Sequence, residues 1–542
     1  MPELTAAPAT QSGGPPVGPA SVPASQCIAI LDYGSQYTQL IARRVRELGV
    51  FSRIYPPSSP AAEMADPAIA GIILSGGPGS VHEEGALGLD PGVLELGKPV
   101  LGICYGMQLL NHLHAGLVVP GTRREYGRAD VAIAAGCPLF AGMGDTQAVW
   151  MSHGDRLERV AGDFAMVART ADGVAAAVQH RALPVFGLQF HPEVTHTPQG
   201  TQVLRNFLFE VCRCEASWSM ADHLDRVVAE IRATVGDNRV CVLVSGGVDS
   251  TVTAALLARA LPPEQVLAVH VDSGLMRKGE SADVVRFLRE AGVGDLAFVD
   301  ASAQFLSRLA GIADPERKRK IIGDTFIEVQ QAELSRLGLA DADVFLAQGT
   351  LYTDLIESGL GVGQNAAVIK THHNVGTPLV RAKRDQGRLI EPNREIFKDE
   401  VRALGLELGL AEDLVYRHPF PGPGLAIRVL GEVTPDRLEL LREVDAIFLD
   451  EIRQAGLYRT IWQAFAVLLP VRSVGVQGDG RSYGHVVALR SVESVDGMTA
   501  DAFAFPWDVL RRVATRITNE VPGVGRVVYD ISSKPPATIE WE

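Results

Sequence analysis

Short apolar runs alternate with amphipathic stretches twice along this chain, and no other pattern narrows its fold as far. The first series begins with CIAILDY at Cys27, SQYTQLIARRVREL and AGIILSGG, and continues through PVLGI, CYGMQLLNHL and VFGLQF at 185–190. Apolar runs without polar alternation are buried on both faces, the condition of parallel strands covered by helices. A second series starts at RVCVLVSGG and repeats strand, helix 249–260, strand VLAVHVD and helix 279–291. The fold class expected is therefore α/β, with two consecutive parallel-sheet domains. After about residue 412 the rhythm changes. HPFPGPGLAIRVLG is broken by Pro and Gly, and a helix over 434–454 precedes short strand-like runs, AVLLPVRSVGV and HVVALRSVES. That composition suits a smaller C-terminal α+β module. The stretch 217–235 reads as a helix leading out of the first unit.

At about 150 residues per domain, 542 residues suggest three or four domains. The boundaries expected are 1–25, 26–216, 217–411 and 412–542. Residues 1–25 are mostly Pro, Ala, Gly and Ser, without the basic and apolar blocks of a signal peptide, and read as a disordered leader. Fifty basic against sixty-four acidic residues give a net charge of −14, which argues against a nucleic-acid coat but leaves room for small phosphorylated ligands held by a local nest. Six cysteines are too few for a disulfide scaffold, so a reducing, cytoplasmic setting is expected. No apolar run approaches eighteen residues, and no membrane span is expected.

Two sites carry chemistry. In GICYG, Cys104 lies between an apolar strand and a helix, the layout that holds a hydrolase nucleophile on a sharp turn with small residues at ±2. The helix N-terminus favours a thiolate there, and the N–H of Tyr105 faces any oxyanion that forms. At the end of the next strand, QFHPE supplies a base. Pro192 biases His191 to an extended backbone, so His191 and Glu193 face one side, and the carboxylate orients the imidazole. Cys104, His191 and Glu193 are then nucleophile, base and orienter. A lone Cys is usually core and a lone His-Pro-Glu usually a turn; their placement at successive strand ends, with GGPGS at a third, favours catalysis.

In the second series, SGGVDS follows a strand and opens a helix. Its glycines let successive N–H groups meet an anion, so Ser245, Gly246, Gly247, Val248, Asp249, Ser250 and Thr251 form a candidate phosphate cradle. It is not a Walker loop, since no Gly-Lys-Ser/Thr follows. Asp249 is a candidate magnesium carboxylate and Lys398 a candidate phosphate contact, each with a solvated-face alternative. Residues 370–374 and 381–384 lie in a stretch with little periodicity and read either as a mobile lid or as a surface loop.

SGGPGS, GICYGMQ and HPEV resemble the three signatures of class I glutamine amidotransferases. The resemblance implies that Cys104 attacks the side-chain amide of glutamine and releases ammonia from a glutamyl thioester. It gives the second oxyanion N–H to the Gly77 region and a glutamine-seating role to Gln108. SGGVDS resembles the loop of the ATP pyrophosphatases, which cleave ATP between its α and β phosphates in an adenine-nucleotide α-hydrolase-like domain. The domain order, with GLMRKGE, KTHHNVG, HPFPGPGL, VRSVGVQGDGRSY and RVVYDISSKPPATIEWE, resembles the GMP synthase family from about residue 27 to 542. That resemblance implies Mg-ATP, glutamine and xanthosine 5′-monophosphate (XMP) as substrates, with XMP contacts at Arg277, Gln463, Asp479, Lys534 and Glu540. It also implies a homodimer through the C-terminal module. Two departures are visible: the leader has no counterpart in the family's core architecture, and the lid reads HHNVGTPLV, where Thr377 breaks a usual double glycine.

The pairing of a glutaminase with an adenylating site points to one amidation. A glutamine-dependent NAD synthetase would share the ATP chemistry but carry a nitrilase-like Glu-Lys-Cys set, and a sensor protein would have lost a catalytic residue. Cys212 and Cys214 have no second pair at metal-ligand spacing, so no structural metal is expected. Cys137 and Cys241 read as core.

Overall fold

A computed structural model describes residues 26–338, 344–351, 378–477, 480–494 and 499–542. The leader, residues 370–374, Thr377 and Asp479 lie outside the described residues. The chain divides into two compact units, Met1–Trp218 and Ser219–Glu542. Among the described residues, no helix is long and apolar enough to cross a membrane.

The first unit is built on a sheet of nine strands. These are β1 (Cys27–Leu31), β2 (Phe51–Tyr55), β3 (Ile69–Leu74), β4 (Val100–Ile103), β5 (Leu117–Ile133), β6 (Thr146–Arg159), β7 (Phe164–Thr170), β8 (Ala175–His180) and β9 (Val185–Leu188). Their order is β2-β1-β3-β4-β9-β8-β7-β5-β6. The five from β2 to β9 are parallel, and β1, β4 and β9 are buried throughout, as the unbroken apolar runs predict. The rest of the sheet is antiparallel. It comes from residues 117–180, where the long β6 alternates buried and exposed positions and so lacks the continuous apolar run of a central strand, while β8 is buried at five of its six positions as a short alanine-rich run.

Among the described residues, the second unit holds two sheets. The first is fully parallel, ordered β12-β11-β10-β13-β14, from β10 (Val240–Leu243), β11 (Val266–Asp272), β12 (Asp295–Asp300), β13 (Phe345–Ala347) and β14 (Leu389–Ile390). The second contains β15 (Gln463–Gln477), β16 (Gly480–Glu493), β17 (Asp501–Ala502) and β18 (Val524–Asp530). In place of short strands, β15 and β16 form a long antiparallel hairpin whose register shifts between Leu468 and Arg472, around Pro470. A proline lacks the N–H a ladder requires, so the run reads as interrupted in sequence although the hairpin continues past it.

The helix Met220–Val235 belongs to this second unit, not to the first. Ser219 caps it by accepting from Asp222 N–H, and Val227, Val228, Ile231 and Val235 pack in one core with Val240, Val242 and the helix Val248–Ala260. On the opposite side of the parallel sheet, Leu267, Val269 and Leu275 share a core with Leu425, Leu441, Phe448, Leu468, Leu489 and Val513. The parallel sheet and the C-terminal module are thus joined by continuous apolar packing. Residues 381–384, read above as a lid or surface loop, lie in a helix, Pro378–Asp385, and buried Lys383 donates to Val344 O at 2.7 Å.

Candidate active sites

In the first unit, β4 ends at Ile103 and the helix Tyr105–Leu113 starts two residues later. Cys104 makes the turn with φ +52° and ψ −105°, a backbone conformation that a side chain disfavours. Such a turn brings Gly102 and Gly106 together. A Cβ on Gly102 would lie 2.5 Å from Gly106 C, and one on Gly106 would lie 2.5 Å from Leu74 O, so the small residues at ±2 are a packing requirement. The thiol is buried, with Gln189 Nε2 and Ser152 O each 3.7 Å from Sγ.

His191 and Glu193 follow β9. His191 Nδ1 and Glu193 Oε1 are 2.7 Å apart, and both side chains are buried. Burial by itself would lower the imidazole pKa; the Glu193 carboxylate and Cys104 outweigh it and hold His191 up at about 10. Its backbone is pinned by His191 N–H to Trp150 O at 3.1 Å and by Thr197 Oγ1 donating to His191 O at 2.7 Å, while Tyr37 meets the ring edge-on. A Cβ on Gly76 would stand 3.2 Å from His191 Cε1 and 3.6 Å from Cys104 Cβ, which places the β3 loop beside both residues. Gly77, next along, lies against Tyr33 O. Tyr105 opens the helix, where a first-turn N–H has no intrahelical acceptor. Gln108 donates to Asp155 O at 3.1 Å and to Gln189 Oε1 at 3.3 Å. The sequence reading gave Gln189 no role, although it stands two residues before His191 and so faces the same side of an extended segment.

In the second unit, β10 runs into Ser245, Gly246 at φ +87° and Gly247, which precedes the helix Val248–Ala260. Ser245 and Gly247 are exposed, so the loop is open to solvent. Its hydroxyls are ordered from below: Ser250 Oγ and Thr251 Oγ1 donate to Gly247 O at 3.0 and 2.9 Å, and Ser245 Oγ is 3.3 Å from Ser250 Oγ. Lys398, at the start of helix Lys398–Glu407, holds the Asp249 carboxylate with Nζ at 2.7 and 2.5 Å from its two oxygens. The two residues read independently as phosphate and magnesium contacts are thus one ion pair at the loop's edge. Gly349 packs against the same turn, where a Cβ would lie 2.9 Å from Ser250 N.

Three of the five expected XMP residues converge. Arg277 donates through Nε to Asp445 Oδ2 at 3.1 Å and sits 4.7 Å from the centre of the Phe420 ring. Arg428, fully buried, makes a fork to both Glu540 oxygens at 3.1 and 2.8 Å and lies 5.2 Å from the same Phe420 ring. Gln463 Nε2 donates to Glu540 Oε1 at 2.8 Å and to Pro419 O at 3.2 Å. Glu540 is therefore held by three hydrogen bonds from two buried residues rather than frayed. Lys534 lies on the neighbouring loop, fixed by backbone pairing with Ala500. The buried Arg490 draws that loop in by donating to Ser532 O at 2.5 Å and Thr538 O at 3.2 Å. Buried His418 stacks flat on Tyr458 and is pushed down to about 4 by burial; it accepts from Ala464 N–H and so donates through Nε2 to Tyr458 O.

Comparisons with known proteins follow this division. Residues 29–211 match the family model for glutamine amidotransferase class-I, 220–294 that for asparagine synthase, and 450–541 that for the GMP synthase C terminal domain. The chain is 52% identical over 516 residues to GMP synthase [glutamine-hydrolyzing] of Symbiobacterium thermophilum, covering 95% of this chain and 99% of that one. It is 50% identical over 515 residues to the protein of the same name from Enterococcus faecalis, covering 95% and 98%. A crystal structure of a glutamine amidotransferase from Thermotoga maritima aligns at 19% identity and TM-score 0.29, over 35% of this chain and 98% of that one. With a buried cysteine on a strand-to-helix turn in one unit, an exposed glycine turn before a helix in the other and full-length relatives of one name, the chain belongs to the glutamine-hydrolysing GMP synthases, a family of glutamine-dependent carbon–nitrogen ligases.

Proposed function

We propose the following assignment of residues to the reaction this enzyme carries out, the amination of XMP to GMP with nitrogen from glutamine at the expense of ATP. Cys104 Sγ attacks the side-chain amide carbon of glutamine. The N–H groups of Tyr105 and the Gly77 region receive the oxyanion, and Gln108 helps to seat the substrate. His191, protonated at neutral pH, gives its proton to the departing nitrogen, so ammonia leaves and a thioester remains; it then takes a proton from the water that releases glutamate. The observation that carries this half is the 2.7 Å His191–Glu193 contact beside the strained Cys104.

In the second unit, the Ser245–Thr251 loop receives the pyrophosphate of ATP while the C2 oxygen of XMP attacks the α phosphorus. Ammonia then displaces AMP at C2. Asp249, with hydroxyl oxygens of the loop, is the oxygen-donor set that suits a magnesium ion carried by ATP, and that ion would offset phosphate charge. Lys398 already sits on the Asp249 carboxylate and supplies a second cation there. Arg277, Gln463, Lys534 and Glu540 take XMP, with the cations set to its phosphate. Residues 26–216, 217–411 and 412–542 are then the amidotransferase, ATP pyrophosphatase and XMP-binding domains.

The decisive assay uses glutamine labelled with nitrogen-15 at the side-chain amide, Mg-ATP and XMP, read by mass spectrometry. Labelled GMP with AMP, pyrophosphate and glutamate is expected. The Cys104→Ala variant should lose that label transfer yet aminate XMP from ammonium salt; loss of both reactions in a folded variant would sink the separation of roles. A homodimer is supported by exposed apolar side chains on the C-terminal module, with Val476 76%, Tyr483 64% and Ile531 78% exposed. Light scattering should give twice the chain mass, and a one-chain mass would remove the dimer. Cytoplasmic residence is supported by six cysteines, none in a disulfide.

A further inference from the structure

Between the pyrophosphate loop and the residues assigned to XMP runs a chain of buried polar contacts that neither site reading uses. Arg417 Nη1 donates to Gly246 O, and Arg417 Nη2 pairs with Glu280 Oε1. The other oxygen of Glu280 accepts from Arg277 N–H at 3.0 Å. Arg277 continues through its side chain to Asp445 Oδ2, and Asp445 Oδ1 accepts from Ala466 N–H at 3.0 Å, on β15. The side chains of Arg417 and Glu280 are 16% and 6% exposed.

The geometry gives this pair a task at each end. A trans peptide points its C=O and N–H in opposite directions. Tying the Gly246 carbonyl to Arg417 therefore turns the Gly247 N–H to the opposite side, where it meets Ser245 Oγ at 3.4 Å on the exposed edge of the loop. At the other end, Glu280 fixes the backbone of Arg277 at the entry to helix Glu280–Glu290, and so the base from which the Arg277 side chain reaches Asp445. One carboxylate thus bears on both loops. The segment after Arg417 reinforces the link, since Leu425 N–H donates to Leu275 O at 2.8 Å.

We propose that Arg417 and Glu280 are positioning residues that couple the two substrate sites, so that a nucleoside triphosphate seated on the Ser245–Thr251 loop tightens binding of the acceptor nucleotide at Arg277, and the reverse. This rests on the assignment of those sites to ATP and XMP. Burial lowers the Arg417 pKa to about 10, and the guanidinium is still a cation at neutral pH. Linkage requires the coupling to be reciprocal.

The test measures XMP affinity of the full-length protein by calorimetry, with and without α,β-methylene-ATP, which cannot be cleaved at the relevant bond. For the unaltered protein the ratio of the two dissociation constants should be about 5-fold or more, the lower end of usual coupling. Arg417→Met, which keeps the apolar stem but offers no donor to either acceptor, and Glu280→Gln, which keeps an acceptor for Arg277 N–H but no charge for Arg417, should each bring that ratio to within about twofold of one. The double variant should lose no more than either single one. A purely structural role would weaken both ligands and leave the ratio intact, and that outcome overturns the proposal. So does a ratio near one in the unaltered protein, or a double variant with additive loss. If one variant fails to fold, judged by its melting curve, the other decides. Failure of XMP or the ATP analogue to bind the unaltered protein at all would remove the site assignment itself, and the coupling with it.

Discussion

At the scale of single residues, the pattern around Cys104 was readable because each requirement is local. A strand end, glycines at ±2 and a helix start are all written within five positions, and the structure explains the glycines by the 2.5 Å approaches a Cβ would make. His191 and Glu193 were readable for the same reason, since Pro192 sets the extended backbone between them. Their coupling has a pH signature. The folded imidazole pKa of about 10 lies above the ordinary value of about 6.5, so the stabilisation it brings is present in full below that ordinary value and is lost as pH rises through about 10. The melting temperature of the unaltered protein relative to His191→Gln should therefore fall steadily between those limits, and a difference that widens with pH would refute the charged pair. Arg417 was not readable. Its partner Gly246 is 171 positions away, and no spacing rule connects an arginine before a Pro/Gly-rich loop to a glycine turn.

Elements tell a similar story with a different boundary. Fully buried parallel strands announce themselves as apolar runs, so β1, β4, β9, β10 and β11 could be placed from sequence. The antiparallel extension over 117–180 could not: the half-exposed β6 shares its alternation with many loops, and the buried β8 is a short alanine-rich run with little strand preference. The C-terminal elements depend on buried charge in a way composition conceals. Arg428 reads as one more cation in LAIRVLG, yet it lies fully buried over Phe465, 4.1 Å from the ring centre, with its fork on Glu540. Removing one partner of such a pair leaves the other charge buried and unpaired. Arg428→Ala should lower the stability of the second unit by about 3–5 kcal/mol, measurable by denaturant unfolding, and should release Glu540 from Gln463 so that the XMP KM rises. Arg428→Met, which fills the space but not the fork, should recover part of the stability and none of the affinity. Equal recovery of both would make the pair a packing device only.

For the whole molecule, two units with separate cores predict two unfolding events. Calorimetry should resolve a transition for residues 26–218 that glutamine analogues shift, and another for residues 219–542 that ATP and XMP shift; a single transition moved by both classes of ligand would contradict this. Length and rhythm suggested a further division near residue 411, and the functional assignment keeps it, but packing does not stop there. Leu267 and Val269 of the parallel sheet lie in the same apolar core as Leu441, Phe448 and Leu489. That shared core has a consequence for how a gene of this kind can be broken. A split after residue 218 would leave each polypeptide with its own interior, so two separately translated pieces could each fold. A split near 411 would strand two half-interiors that must find each other before either is stable, and such a gene would have to keep its second and third parts in one reading frame.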